Sequence, residues 1–217
     1  MSWLALAMDL ILHLDKHLGA VIQQYGAWTY ALLFLIIFAE TGLVIAPFLP
    51  GDSLLFAAGA FAAIGSFRIA FLWGLLAAAA ILGDTLNYTL GHHLGPRVFR
   101  ERVRFLNRDH LDYARQFYEK HGAKTIVLAR FIPIIRTFAP FVAGIGQMRY
   151  RTFLAYNLIG GLLWVSLFTF GGYFFGNLQV VKDHFGTVII AIILLSLTPL
   201  IIEFWRHHIA HKKHVGE

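Results

Sequence analysis

The sequence predicts an all-α membrane protein: two facing re-entrant helical hairpins in an inverted repeat, about three full transmembrane spans, and amphipathic surface helices. Three observations predict it. Of 217 residues, 58% are hydrophobic and 14% charged, with a mean hydropathy of +0.66, too little charge to clothe a soluble globule of this size. Several apolar windows, separated by polar breaks, suit the roughly 20 residues that a bilayer core of about 30 Å asks of a helix. Two of these windows are interrupted by prolines beside ionisable residues, and each precedes a full span. One membrane domain over 1–217 accounts for the chain. There is no cysteine, which excludes disulfides, thiolate metal sites and cysteine nucleophiles.

Residues 1–26 mix Leu10, Ile11, Leu14, Leu18 and Ile22 with Asp9, His13, Asp15 and Lys16. That amphipathic pattern predicts a helix lying on the bilayer surface, and its charges argue against a cleaved leader, so the N-terminus is expected to be retained. The next unit, 27–64, joins two apolar pieces, Ala27 to Ala39 and Ser53 to Ile64, through Glu40, Pro47, Pro50, Gly51 and Asp52. As one helix it would be about 57 Å long, beyond any tilt, so the chain must turn inside the membrane as a first re-entrant hairpin. Residues 69–90 predict a full span that turns polar at Asp84, Asn87 and Tyr88.

Residues 91–124 form a basic amphipathic linker with Arg97, Arg100, Arg102, Arg104, Arg108, Arg115, Lys120 and Lys124, cytoplasmic by the positive-inside rule. Residues 125–148 repeat the interrupted pattern as ARFIPIIRTFAPFVAGIGQM, with breakers Pro133, Pro140 and Gly144, and with basic residues on both flanks. That predicts a second re-entrant hairpin. Residues 152–175 and 187–205 read as two ordinary spans, and 206–217 as a cytoplasmic tail. One crossing at 69–90 places the first hairpin on the opposite side from the second, which is the inverted-repeat layout of many transporters. The N-terminus is then periplasmic.

Irregular backbone at membrane depth is tolerated only where it faces protein or water, so Pro47 and Pro50 imply a lined cavity. Into it Glu40 and Asp52 would bring negative charge, and Arg130 and Arg136 positive charge. An arginine near the bilayer centre costs about 2.5–3.5 kcal/mol on insertion scales, which pairing across the hairpins would offset. The two arginines are six apart around Pro133, so they share no regular helical face, yet both could converge from a bent tip. Planar guanidinium forks suit phosphate oxygens, which predicts an anionic-headgroup clamp. Glu40 and Asp52 are the candidate proton-binding acids, and Asp84 a second relay acid or a marker of the membrane interface. A bland reading has Asp52 capping the following helix and Arg130 snorkelling to cytoplasmic headgroups.

The ordered set ETGLVIAPFLPGDSLLF, GDTLNYTLG, YEKHGAKTIVLARFIPIIRTFAPFVAG and NLIGGLLWVSLFTFGGYFFG resembles the DedA family of bacterial inner-membrane proteins over most of the chain. The resemblance implies facing re-entrant hairpins, proton-linked function and transport of lipid carriers such as undecaprenyl phosphate or of phospholipids. By motif it carries the acidic pair to Glu40 and Asp52 and the essential arginines to Arg130 and Arg136. The expected partners are therefore an anionic membrane lipid (a polyprenyl phosphate or a phospholipid) and protons. No cofactor, metal or nucleic acid is expected, and a homo-oligomer is left open.

Other readings compete. A proton-coupled exchanger of small ions would use the same acids with less need of the arginines, and a non-transporting envelope scaffold would need neither. An enzyme is not expected, because neither a second catalytic aspartate in a partner span nor a histidine in the arginine hairpin is in evidence. His92 with His93, and the tail histidines His207, His208, His211 and His214, read as ordinary basic segments sooner than as a metal site. Trp3, Trp28, Trp164 and Trp205 read as interfacial aromatic belts. Acids interspersed through the basic linker favour contact with anionic lipid over nucleic acid.

Overall fold

A computed structural model of the chain describes residues 24–43, 51–98, 115–116, 118–183 and 187–188. Nearly all of the expected surface helix over 1–26, both Pro47 and Pro50, the middle of the 91–124 linker, and almost the whole of the expected 187–205 span and 206–217 tail lie outside the described residues. The regular structure is helical throughout the described residues: α1 (Ala27–Gly42), α2 (Gly51–Ala63), α3 (Ile69–Val98), α4 (Thr125–Ala129), α5 (Pro133–Ile145), α6 (Tyr150–Gly176) and the short α7 (Gln179–Asp183), with a 3-10 turn over Gly122–Lys124 leading into α4. Two of these, α3 and α6, are long and apolar enough to cross a membrane.

The breaks fall where the local chemistry puts them. α1 ends at an extended Leu43. α2 opens on Gly51 and Asp52, with the acid in its first turn, where the helix dipole favours negative charge. It closes in a Schellman motif: Ser66 N–H donates to Phe61 O and Gly65 N–H to Ala62 O, at 3.0 and 3.1 Å, and Gly65 takes the left-handed φ of +86°. α4 stops because Ile132 precedes a proline and is extended, and Pro133 then opens α5. α5 closes in the same motif, with Met148 and Gln147 donating to Ala143 O and Gly144 O. There the left-handed residue is Gln147, at φ 52°.

Three expectations are corrected. Pro140 does not break the second hairpin, since it lies inside a continuous α5. It removes one backbone donor, and the packing of α5 on α3 carries the helix through. Gly144 is not a breaker either, because it too lies inside α5, and a Cβ there would come within 2.1 Å of Tyr88 O. The break itself is at Arg130, Phe131 and Ile132, between α4 and α5. Finally, α3 runs on to Val98, past the expected end at residue 90. The hydroxyls of Thr85 and Thr89 donate to Ile81 O and Thr85 O at 2.7 Å, so these polar residues are satisfied within the helix.

Each interrupted segment returns to where it began. The Tyr30 hydroxyl, near the start of α1, accepts a 2.8 Å hydrogen bond from Arg68 N at the end of the same segment, and its ring packs edge-on against Phe67 and Phe71. Tyr118, ahead of α4, donates to Met148 Sδ at the end of the second segment, and its burial pushes the phenol well above its usual range, keeping it a neutral donor. These two closures sit at well-separated points along α3, near its start and some two-thirds of the way along it. Tyr30 meets its start at Phe71, whereas Tyr88, further along it, donates to Met148 O and stacks against Phe153.

The arms pack crosswise. α1 and α5 lie on α3, and α2 and α4 lie on α6. Small residues allow the close approach: added Cβ atoms at Gly59 and Gly172 would sit 2.0 Å from Thr169 O and Phe56 O, and one at Gly91 would sit 2.2 Å from Phe141 O. Leu55, Leu72, Leu76, Trp164 and Val165 fill the main core between these elements.

Gly172→Ala is therefore expected to lower stability by about 1–3 kcal/mol through overpacking. Gly74→Ala, where nothing lies within 4 Å, should raise it by up to about 1 kcal/mol through helix propensity. Thermal unfolding of the two variants in detergent checks the contrast.

Candidate functional site

The end of α1, the first turn of α2, the middle of α3, the break after α4 and the first turn of α5 bring five ionisable side chains into one cluster against α6. Arg136, in the first turn of α5, divides its fork. Nη1 donates to Asp52 Oδ1 at 2.7 Å, and Nη2 makes a very short ion pair with Glu40 Oε1. Glu40 is buried at the end of α1, and Oε1 also accepts from Gly51 N at 3.1 Å. A Cβ on Gly51 would lie 1.8 Å from the Glu40 carboxylate, so glycine at the start of α2 is what lets the acid reach that amide.

Arg130 caps α4 and forms a second, fully enclosed pair. Its Nη2 donates to Asp84 Oδ2 and to Asn157 Oδ1, both at 2.6 Å. Asn157 in turn donates to Ile81 O at 3.0 Å, fixing its amide orientation. Two readings from sequence give way here. Asp84 does not mark the membrane interface: it is the sixteenth residue of the 30-residue α3 and only 4% exposed. Arg130, equally buried, does not snorkel. The pair answers the desolvation of both groups, which neither could bear alone.

The arginines converge on one ring. Their Cζ atoms stand 5.8 Å (Arg130) and 5.5 Å (Arg136) from the centroid of Trp164, whose indole Nε1 donates to Asp52 Oδ1 at 2.7 Å. Trp164 is 1% exposed. It belongs to this cluster and not to an aromatic belt, because Gly160 and Gly161 on the preceding turn make room for the Arg130 side chain beside it. Asn87, also buried, donates from one amide to Thr41 O on α1 at 3.1 Å and Thr137 O on α5 at 2.9 Å, joining the two segments. A narrow crevice is lined by Glu40, Thr41, Asp84, Arg130, Arg136, Thr137 and Trp164.

The structure thus brings Glu40, Asp52, Asp84, Arg130, Arg136 and Gly51 together. Pro133 sits at the start of the arm that carries Arg136, while Pro140 and Gly144 serve the packing of α5. Sequence reasoning assigned Trp164 to an aromatic belt and passed over Asn157 and the role of Asn87, since single residues in apolar spans carry no motif. The one available signal was that each costs something in lipid.

Two helices of membrane-crossing length, bridged by Arg130 through Asp84 on one and Asn157 on the other, fit a helical membrane protein. The chain belongs to the DedA family. Residues 49–174 match the VTT domain. The chain is 54% identical over 203 residues to Protein DedA of Escherichia coli K12, covering 92% of this chain and 93% of that protein. It is 38% identical over 215 residues to an uncharacterised membrane protein of Mycobacterium tuberculosis, covering 98% and 94%. It is 33% identical over 201 residues to the Inner membrane protein YghB of Salmonella typhimurium, covering 91% and 92%. No solved structure matches the chain.

Removing Arg130 leaves Asp84 charged and enclosed, so Arg130→Gln should cost about 3–5 kcal/mol. Arg136→Gln should cost less, since the Asp52 side chain is 39% exposed and Arg136 itself 12%. Denaturant unfolding of the two variants in detergent orders them.

Proposed function

We propose that this chain is a transporter linked to the proton motive force, moving an anionic lipid, undecaprenyl phosphate or a phospholipid, across the bacterial inner membrane in support of the envelope. The observation that carries the reading is the divided fork of Arg136. A guanidinium held by two carboxylates, one buried and one partly exposed, is a phosphate-shaped donor kept satisfied until an anion replaces one of them.

Charge count supplies the link to protons. The cluster holds three carboxylates, Glu40, Asp52 and Asp84, against two guanidiniums, one negative charge in excess if all are ionised. Glu40 Oε2 is buried and has no hydrogen-bond partner among the described residues. A single proton on that oxygen balances the cluster, and an arriving phosphate beside Glu40 makes the proton more strongly required. Lipid and proton would then occupy the site together. The chemistry is binding and release, with no covalent bond made or broken.

The folding-back of each segment supports its reading as a re-entrant hairpin, and the separation of the two closures along α3, at Phe71 and Tyr88, supports insertion from opposite faces in an inverted repeat. The names of relatives described as inner membrane proteins favour the same compartment. The basic linker would lie in the cytoplasm together with the C-terminus, and the N-terminus in the periplasm. The lipid tail would stay in the bilayer while the headgroup passes between the hairpin tips.

Proteoliposomes carrying a fluorescent polyprenyl phosphate or phospholipid, with and without a proton gradient, test the proposal. Wild type should move the probe faster with the gradient. Arg136→Ala should lose at least about tenfold of that flux, the factor expected from one charge-assisted hydrogen bond. Glu40→Gln should retain gradient-independent movement only. Wild type that moves no lipid under either condition sinks the proposal and leaves small-ion exchange or a scaffold role.

A further inference from the structure

Asp52 and Arg136 meet across the main division of the fold. Arg136 rides on α5, which packs with α1 on α3, whereas Asp52 rides on α2, which packs with α4 on α6. The second ligand of Arg136, Glu40 on α1, belongs to its own group, and the second donor to Asp52, Trp164 on α6, belongs to the group of Asp52. Both donors reach one oxygen: Arg136 Nη1 and Trp164 Nε1 each lie 2.7 Å from Asp52 Oδ1. From this we infer that Trp164 is a positioning residue that keeps Asp52 oriented when Arg136 exchanges it for an anionic headgroup, so that Asp52 is the competing anion the substrate must displace. The inference rests on the transport reading for its kinetic part alone.

The geometry gives the indole two separable tasks. Its face supports both guanidiniums, which a phenyl ring would also do. Its N–H holds the carboxylate, which a phenyl ring cannot. Without that hydrogen bond the half-exposed Asp52 turns toward its open side, competes less well for Arg136, and recaptures it more slowly after the headgroup leaves. Trp164→Phe therefore lowers KM for the lipid and lowers the maximal rate together, each by up to about tenfold, the worth of a hydrogen bond to a charged group. A variant that merely folds poorly has fewer working molecules and an unchanged KM.

The contact is tested independently of transport with 15N-tryptophan-labelled protein in detergent. Five indole resonances are expected from the five tryptophans, with that of Trp164 assigned by its loss in Trp164→Phe. Asp52→Asn should move this resonance and leave the other four in place, whereas Arg136→Gln should leave it in its hydrogen-bonded position. A Trp164 resonance that ignores Asp52→Asn, or that moves as far in Arg136→Gln, overturns the inference whatever the flux assay shows. In an active transporter, an unchanged KM in Trp164→Phe overturns it as well. Silence of wild type in the flux assay would instead fall on the transport reading, and the resonance pair would still decide whether Trp164 holds Asp52.

Discussion

The sharing of one guanidinium between Glu40 and Asp52 is the constraint on which the rest of this structure depends. Three elements must end within a few ångströms of one another for it to form: α1 at Glu40, α2 at Asp52 and α5 at Arg136. Arginine is the one side chain whose planar fork can hold two separately anchored carboxylates at once, since a lysine offers a single point charge. Much else in the local sequence follows from this demand. Gly51 leaves space for the carboxylate. The extended Ile132 and Pro133 start α5 just ahead of Arg136. Asn87 ties Thr41 O, one residue from Glu40, to Thr137 O, one residue from Arg136.

Crosswise packing supplies the stiffness that such a cluster needs. Each returning arm lies on the long helix of the other segment, α2 on α6 and α5 on α3, with glycines bringing backbone against backbone. In a membrane, where lipid competes on equal terms with apolar side chains, that close contact is what drives helices together. The enclosed Arg130–Asp84 pair extends the same logic, because Asn157 orients the guanidinium and is itself fixed by Ile81 O. Ion pairs sealed in this way contribute little net stability but penalise any arrangement that separates them.

Much of this was legible in the sequence, and the illegible part has a physical cause. The helical class followed from hydropathy. Glu40, Asp52, Arg130 and Arg136 stood out because ionisable residues are expensive at membrane depth. Pairing was not legible, since Asp84 with Arg130 and Asp52 with Trp164 are long-range matches that no local spacing records. Pro140 misled because its backbone cost is visible in sequence while the packing that absorbs it is not. Trp164 looked like an interfacial aromatic because the two glycines before it become informative only once Arg130 lies against them.

The cluster also carries the charged contacts between the two groups of helices, which otherwise share the apolar core of Leu55, Leu72, Leu76 and Val165. Within the group α1, α3 and α5 the arms meet through small residues and backbone, and also through the Arg136–Glu40 pair and the Asn87 hydrogen bonds, while α2 meets α6 through glycines against backbone. Between the groups, Arg136–Asp52 and Arg130–Asp84 are charge pairs, and Glu40 with Gly51 N and Asn157 with Ile81 O are hydrogen bonds. An anion or a proton can substitute for a member of the first kind of link, and water for the second, at small net cost. The two charge pairs are unequal in this respect. Arg130–Asp84 is closed on all sides, so exchange there would strand a charge. Arg136–Asp52 borders the half-exposed Asp52 side chain, and each of its members keeps a partner in its own group when the two separate. Exchange is therefore cheapest at Arg136, where the start of α5 faces the end of α1 and the start of α2.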